Sequence, residues 1–407
     1  MKILFLCITE PYPTMSGGTM RDWQNILACH SFSDVTVCFL NPKLGPEVIP
    51  HNYDFDDWIE IADSENRALV AFSNFWNRYF SPHWSLSLWS LTRARHFRKL
   101  LRTREFDFCV IEDQVLWKYA LLASKHSIVV IDYHNHQSAV EKEVLFSIPK
   151  HQIIELISAL RAYLYMIFVE YRIRDYFGFV CSKNDMLRRK SNNKTWVVEN
   201  CLEPLTELER ERVLSTVSRK IAKRTDISIL YPGSLDYQPN ILAVRQLCRQ
   251  IFPNLRKRCP HATLTIVGKR APQYLLRELG DLDGVEIKSD VPSMQPFFEK
   301  ASCMCAPLTE GGGTRLKILE SFKYGVPVIT TTKGCEGLLV NNGQHLVVED
   351  DISIYGHKIE ILHKDHELRR RLIVNALSLF EDSYAYDTSA MRIRNALSEI
   401  RELIWMK

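Results

Sequence analysis

The residues best suited to chemistry lie in one run, Pro307-Leu308-Thr309-Glu310-Gly311-Gly312-Gly313-Thr314-Arg315-Leu316-Lys317-Ile318-Leu319-Glu320. Gly311, Gly312 and Gly313 let backbone approach a ligand closely and present amides to it. Thr314 suits the N-cap of a following helix. Helix amides and the positive end of the dipole then face an anion. Arg315 and Lys317 fall in the expected first turn, where cations oppose the dipole, and a bound diphosphate would remove that conflict. Leu316, Leu319 and Phe322 form the stripe expected to be buried, and Gly325 is the expected stop. The plainer alternative is a glycine-rich turn ahead of an ordinary helix. The GxxxxGK[ST] spacing of a nucleoside-triphosphate loop is absent, and no GxGxxG follows the first strand, which weighs against a dinucleotide-dependent oxidoreductase.

The elements that must hold this run alternate between strand and helix. Lys2–Cys7, Asp34–Leu40, Phe108–Glu112, Ile128–Asp132 and Gly178–Ser182 read as strands in the first half. Most are continuous apolar runs, as in parallel strands covered on both faces. After a polar connector, Leu205 to Asp226, the pattern restarts. Ile227–Tyr231, Ala262–Val267, Val285–Ile287, Ser302–Ala306, Val326–Thr331 and His345–Val348 are the expected strands. Repeated βα units imply doubly wound sheets. The expected fold is α/β, with two facing Rossmann-like domains and a cleft between them. Residues 1–204 form the first domain and 205–387 the second, with a helix over about 388–407 returning to the first. Gly17 and Gly18, after strand one, are placed where such sheets contact ligands. Asn240 reads as a plain N-cap. Glu112 and Asp132 end strands and read as structural.

Bulk composition narrows the function. Of 407 residues, 46% are apolar and 25% charged, and the net charge of +4 argues for no nucleic-acid partner. The eleven cysteines are odd in number and scattered, which reads as a reducing, cytoplasmic compartment. Ile3 to Ile8 is too short for a signal-peptide core. The longest later apolar run, Ala162 to Val169, is bounded by Arg161 and Glu170 and is too short to span a bilayer.

The run from Glu310 to Thr331, continued by Gly334-Cys335-Glu336-Gly337-Leu338, resembles the C-terminal domain of glycosyltransferase family 4, retaining enzymes of the GT-B fold. Tyr231-Pro232-Gly233-Ser234 resembles the strand and loop that open that domain, and Ile266-Val267-Gly268 a later strand end. In the first half, Gly17-Gly18 with Arg21, Asp132-Tyr133-His134-Asn135, Ser182 through Asp185, and Val197-Val198-Glu199-Asn200 resemble family motifs in order.

The resemblance implies transfer of a sugar from a nucleotide-diphosphate donor to a hydroxyl acceptor, with retention, in polysaccharide or glycoconjugate synthesis. Gly17, Gly18, Gly233, Gly311, Gly312, Gly313, Thr314 and Glu336 would line the donor, and Glu320 would bond the ribose hydroxyls. Arg315 and Lys317 would neutralise the leaving diphosphate, without a metal or other cofactor. His134 would lie near the reacting sugar. The acceptor, a sugar, glycan or lipid-linked glycan, would enter from the first domain. Two features depart from the family pattern. Counting back from Glu320 by the family's glutamate spacing lands on Gly312, with Glu310 further out. The loop from Ser234 to Asn240 lacks the Arg and Lys often found there. These departures keep two rivals: a non-catalytic nucleotide-sugar binding subunit, and, ranked lower, a sugar-nucleotide epimerase.

Ala71 to Arg104 combines Phe75, Trp76, Phe80, Trp84 and Trp89 with Arg93, Arg95, Arg98, Lys99, Arg102 and Arg104. Such a segment suits the inner face of a membrane or a lipid-diphosphate acceptor. A helix that packs its aromatics inward and solvates its charges is the favoured reading.

Overall fold

A computed structural model describes residues 1–12, 17–42, 55, 57–63, 83–189, 193–222, 226–311 and 315–406. The chain divides into two compact units. The first comprises Met1–Asn200 with Tyr386–Lys407, and the second Cys201–Ala385.

The first unit holds seven parallel strands in the order β3-β2-β1-β4-β5-β6-β7. They are β1 (Lys2–Thr9), β2 (Asp34–Asn41), β3 (Asp57–Glu60), β4 (Phe108–Glu112), β5 (Ile128–Tyr133), β6 (Phe177–Val180) and β7 (Thr195–Val197). The strand period of two sends alternate residues to opposite faces. Ile3, Phe5, Val35, Val37 and Val110 belong to one core, and Leu4, Leu6, Cys38, Cys109 and Ile111 to the other. The first core is closed by α1 (Gly17–His30) and by α15 (Tyr386–Trp405), whose Ile393, Ala396, Leu397 and Ile400 are fully or almost fully buried. The second is closed by α2 (Leu91–Thr103), α3 (Trp117–Ala123) and the inner side of α5 (Ile153–Ile173). Helix α4 (Gln137–Ser147) packs along α5, and the short α6 (Lys183–Arg188) follows β6.

The second unit begins with α7 (Glu207–Ala222). It carries six parallel strands in the order β10-β9-β8-β11-β12-β13. These are β8 (Ser228–Pro232), β9 (Thr263–Gly268), β10 (Val285–Ser289), β11 (Cys303–Ala306), β12 (Val328–Thr330) and β13 (Val347–Val348). The helices between them are α8 (Gln238–Gln246), which runs through a π turn into α9 (Phe252–Arg256), then α10 (Gln273–Leu279), α11 (Gln295–Lys300) and α12 (Leu316–Lys323). Helices α13 (Tyr355–Lys364) and α14 (His366–Ser383) complete the unit.

Every expected strand is present within a few residues of its expected bounds. The sequence reading missed β3 and β7, of four and three residues, both on sheet edges. Neither shows a buried residue, so neither carries the apolar run that marked the others. Helix α2 agrees with the packed-helix reading. Ala94, Phe97 and Leu101 are buried, while Arg95, Arg98, Lys99 and Arg102 are exposed. Trp89 packs edge-on against Tyr119, with ring centroids 5.0 Å apart. Phe75, Trp76 and Phe80 lie outside the described residues.

Candidate functional site

Strand order reverses between β1 and β4 in the first sheet and between β8 and β11 in the second. Ligands of open α/β sheets bind beyond the strand C-termini at such points. The singled-out residues fall at these two places, one group in each unit.

In the first unit, Arg21 is buried in the first turns of α1. Its Nε and Nη2 each donate to one oxygen of Asp132, both at 2.5 Å. Its Nη1 donates to the Val198 carbonyl at 2.8 Å and to Asn200 Oδ1 at 2.5 Å. One guanidinium thus joins α1, the end of β5 and the chain after β7. Burial alone would push the Asp132 carboxyl up, but Arg21 outweighs it and holds that group below its ordinary value. Asn25 Nδ2 donates to Asp132 Oδ2 at 3.1 Å and to Glu112 Oε1 at 3.3 Å.

Beside this pair lies His134, just past β5, its side chain 14% exposed. Its Nε2 is 2.9 Å from Asp22 Oδ1, 3.4 Å from Glu112 Oε2 and 3.5 Å from Asp132 Oδ2. Its Nδ1 is 4.0 Å from Asp113 Oδ2. Burial alone would lower its pKa; the surrounding carboxylates prevail and raise it well above the ordinary value. His134 is therefore held as an imidazolium. Burial drives Glu112, which lies beside Asp132, upward as well, and its carboxyl rises well above the ordinary range. Asp113 adopts φ +96°, a strained backbone for a residue with a side chain, and its Oδ1 accepts from the Val115 amide at 3.0 Å. Asp22, Glu112 and His134 each offer one ligand atom, all within 4.8 Å of one another, and form the only such trio with metal-binding spacing among the described residues. Gly17 and Gly18 are the first two residues of α1, one turn before Asp22, rather than part of a turn directly after β1.

In the second unit, the expected capping is corrected. Arg315 occupies the N-cap of α12 and makes no side-chain capping bond. Gly312, Gly313 and Thr314 lie outside the described residues. Arg315 is buried, and its Nη2 donates to the Gly311 carbonyl at 3.0 Å and to the Lys333 carbonyl at 2.8 Å. Gly311 has φ +94°, and a Cβ there would lie 3.0 Å from Pro239 and from Tyr237 Oη. The buried stripe of α12 is Ile318, Leu319 and Phe322, while Leu316 is only half-buried. Gly325 ends the helix at φ +62°. Its amide donates to Phe322 O, and that of Val326 to Ser321 O.

Lys317 turns back toward β8. Its Nζ donates to Asn240 Oδ1 at 2.7 Å and to Tyr231 Oη at 3.0 Å, and lies 4.3 Å from the Tyr231 ring centroid. A Cβ on Gly233 would sit 3.0 Å from that ammonium, so glycine makes room for it. Asn240 is not an N-cap. It is the third residue of α8 and is buried, accepting from Tyr231 Oη at 2.8 Å and donating to the Ser234 carbonyl at 2.8 Å. Withdrawal from water, helped by nearby Arg315, pushes Lys317 down to about 7. Burial pushes Glu320, one turn on, up to about 7 against the pull of Lys317, Lys323 and Lys269. Glu336 pairs with Lys333 Nζ at 2.6 Å and lends negative charge beside Arg315.

Sequence reasoning missed Tyr231, Asp22 and Asp113, and it misjudged Asn240. The available signal was a polar residue adjoining an expected strand end or glycine pair, which marks a switch-point position.

Residues 226–365 match the model of the family described as Glycosyl transferases group 1. An uncharacterized 44.6 kDa protein in the cps region of Klebsiella pneumoniae is 24% identical over 165 residues, a match that spans 39% of this chain and 42% of that protein. Sucrose-phosphate synthase from Thermosynechococcus elongatus superposes with a TM-score of 0.67 at 13% identity, over 100% of both chains. HepE of Anabaena, in complex with UDP and glucose, gives 0.62 at 14% identity over 98% and 99%. The α,α-trehalose 6-phosphate synthase of Burkholderia multivorans gives 0.64 at 10% identity over 99% of both chains. The second unit thus matches the group 1 glycosyl transferase family over residues 226–365, and the whole chain has the two-domain GT-B fold of glycosyltransferases.

Proposed function

We propose that the protein is a retaining glycosyltransferase, resembling family 4, that moves a sugar from a nucleotide-diphosphate donor to a hydroxyl acceptor. The observation that carries this reading is the pair of desolvated cations at the start of α12. Arg315 is buried among backbone carbonyls, and Lys317 is held by neutral partners and pushed down to about 7. A diphosphate bound there would set its negative charge against both cations. Lys317 Nζ also lies against Gly233, the loop where the family's usual Arg and Lys are missing. HepE was captured with UDP, which supports a uridine diphosphate donor here.

The second unit binds the donor and the first receives the acceptor. Gly233 and Gly311 allow the diphosphate close approach, with Gly312, Gly313 and Thr314 completing the cradle. Glu320 accepts from the ribose hydroxyls, and Glu336 orients Arg315 through its charge. The bond from the sugar's anomeric carbon to the diphosphate oxygen breaks as negative charge builds on the leaving group, and Arg315 and Lys317 stabilise that charge. The acceptor oxygen attacks from the same face, and its proton passes to the departing diphosphate. In the first unit, the His134 imidazolium, with Gly17 and Gly18 at the start of α1, is assigned to sugar binding. The cps-region relative supports a role in polysaccharide synthesis, with a glycan or lipid-linked acceptor at the inner face of the membrane.

Thermal shifts against a panel of nucleoside diphosphates test the donor site. A ligand that binds only the native state raises its stability by mass action. One diphosphate should stabilise the wild type and not Arg315→Ala/Lys317→Ala. If none shifts the wild type, the assignment is wrong. A donor that binds without being transferred or hydrolysed would establish the non-catalytic reading instead.

A further inference from the structure

Helix α5 is 21 residues long. Its inner side is already committed, with Ala159, Met166, Val169 and Ile173 buried against the first unit. A second apolar stripe runs along the outside. Ile153, Ile157, Leu160, Leu164, Ile167 and Tyr171 are 65%, 55%, 45%, 55%, 41% and 59% exposed. Their spacing is four, three, four, three, four. That is the a/d heptad period of helices that pack knobs into holes, sustained from one end of the helix to the other.

Among the described residues of the unit, these side chains stay exposed, and their neighbours widen the stripe. Ile154 and Phe168 beside it, and Phe146 at the end of α4, are 82%, 48% and 77% exposed. With Val144, also exposed, ten such side chains leave on the order of 100 Å² each, about 1,000 Å² in all, against roughly 800 Å² per partner in a standard interface. The largest apolar patch on an ordinary monomer is only about 300–600 Å².

We propose that this face is a homodimer interface, in which α5 packs against α5 of a second copy of the chain. The period selects a helix as occupant, and the area suffices for a stable dimer. A two-fold axis places the same stripe on both sides. A lipid surface fits less well. A helix lying in a membrane interface presents a charged face opposite its apolar one. The side of α5 away from the stripe is core, and its exposed charges are few: Glu155, Arg161 and Arg172.

The full chain should sediment at twice its 47.4 kDa mass at micromolar concentration. Ile157→Lys/Leu164→Lys should sediment as a monomer, its dissociation constant raised roughly a hundredfold or more. Both residues are exposed, so the melting temperature of the dilute variant should match that of the dilute wild type. Leu160→Gln, a milder change, should weaken the dimer in the same direction. A wild type that stays monomeric throughout, or a dimer untouched by both variants, overturns the proposal. So does a monomeric wild type that co-sediments with vesicles of phosphatidylglycerol and phosphatidylethanolamine while the double variant does not; that result assigns the face to lipid.

Discussion

Lys317 and Glu320 illustrate a conflict held within one helical turn. Lys317 has an ordinary value of 10.5 and is pushed to about 7. Between those pH values the unfolded chain binds the extra proton, so stability rises with pH across that window, and the penalty is fully present below 7. Glu320 moves from 4.5 to about 7, so the native state binds the extra proton between them. Stability from this group falls as pH rises through that window. Lys317→Met should therefore stabilise the unliganded protein by roughly 0.5–2 kcal/mol at pH 6, with the gain fading toward pH 10. Unfolding in urea at several pH values measures this. The same variant should bind no nucleoside diphosphate, because the cation is retained for a ligand. The Arg21–Asp132 pair behaves oppositely. Both partners are buried and mutually satisfied, so Arg21→Ala strands a carboxylate and should cost about 3–5 kcal/mol. Arg21→Ala/Asp132→Asn should recover part of that loss in the same urea titration.

At the scale of elements, the donor-side loop is held by close backbone contact. A Cβ on Gly268, the last residue of β9, would meet the Gly233 carbonyl oxygen at 1.7 Å. Gly268→Ala must therefore displace the loop that faces Lys317. Donor affinity should fall by about tenfold or more, as small misplacements near a site commonly cause. Gly343 provides the contrast. It has φ +76° and open space where a Cβ would stand. Gly343→Ala should cost about 1–2 kcal/mol from backbone strain alone and leave donor affinity unchanged. Calorimetric titration with the diphosphate found in the panel separates the two.

The chain as a whole crosses from the first unit to the second and returns, since α15 belongs to the core built around β1. Ending the chain after Ala385 would remove Ile393, Ala396, Leu397 and Ile400 from that core. Losing four buried apolar side chains at about 1.5–3 kcal/mol each for the large ones approaches the whole stability of a domain. Scanning calorimetry of the truncated chain should show the first unit's transition lost or moved far down. The transition of Cys201–Ala385 should persist near its original temperature.

Much of this was legible in the amino-acid order alone, for local reasons. Parallel strands buried on both faces write continuous apolar runs, so eleven strands could be located and only the two partly buried edge strands escaped. Gly325 ended α12 because a left-handed residue is needed there, and Gly311 marked a turn for the same reason. The segment around Arg315 and Lys317 stood out because cations before a helix contradict its dipole unless an anion is bound. Side-chain partners drawn from distant strands were not legible. Asn240 looked like a cap because its local context fits one, yet Tyr231 and Lys317, the latter 77 residues on, claim its side chain. The charge state of His134 depends on Asp22, Glu112 and Asp113, which two separate segments deliver to one switch point. Periodicity fixes which face of an element is apolar. Only the tertiary packing decides which polar groups lose water together, and that loss sets the pKa of each group and the ligand it can hold.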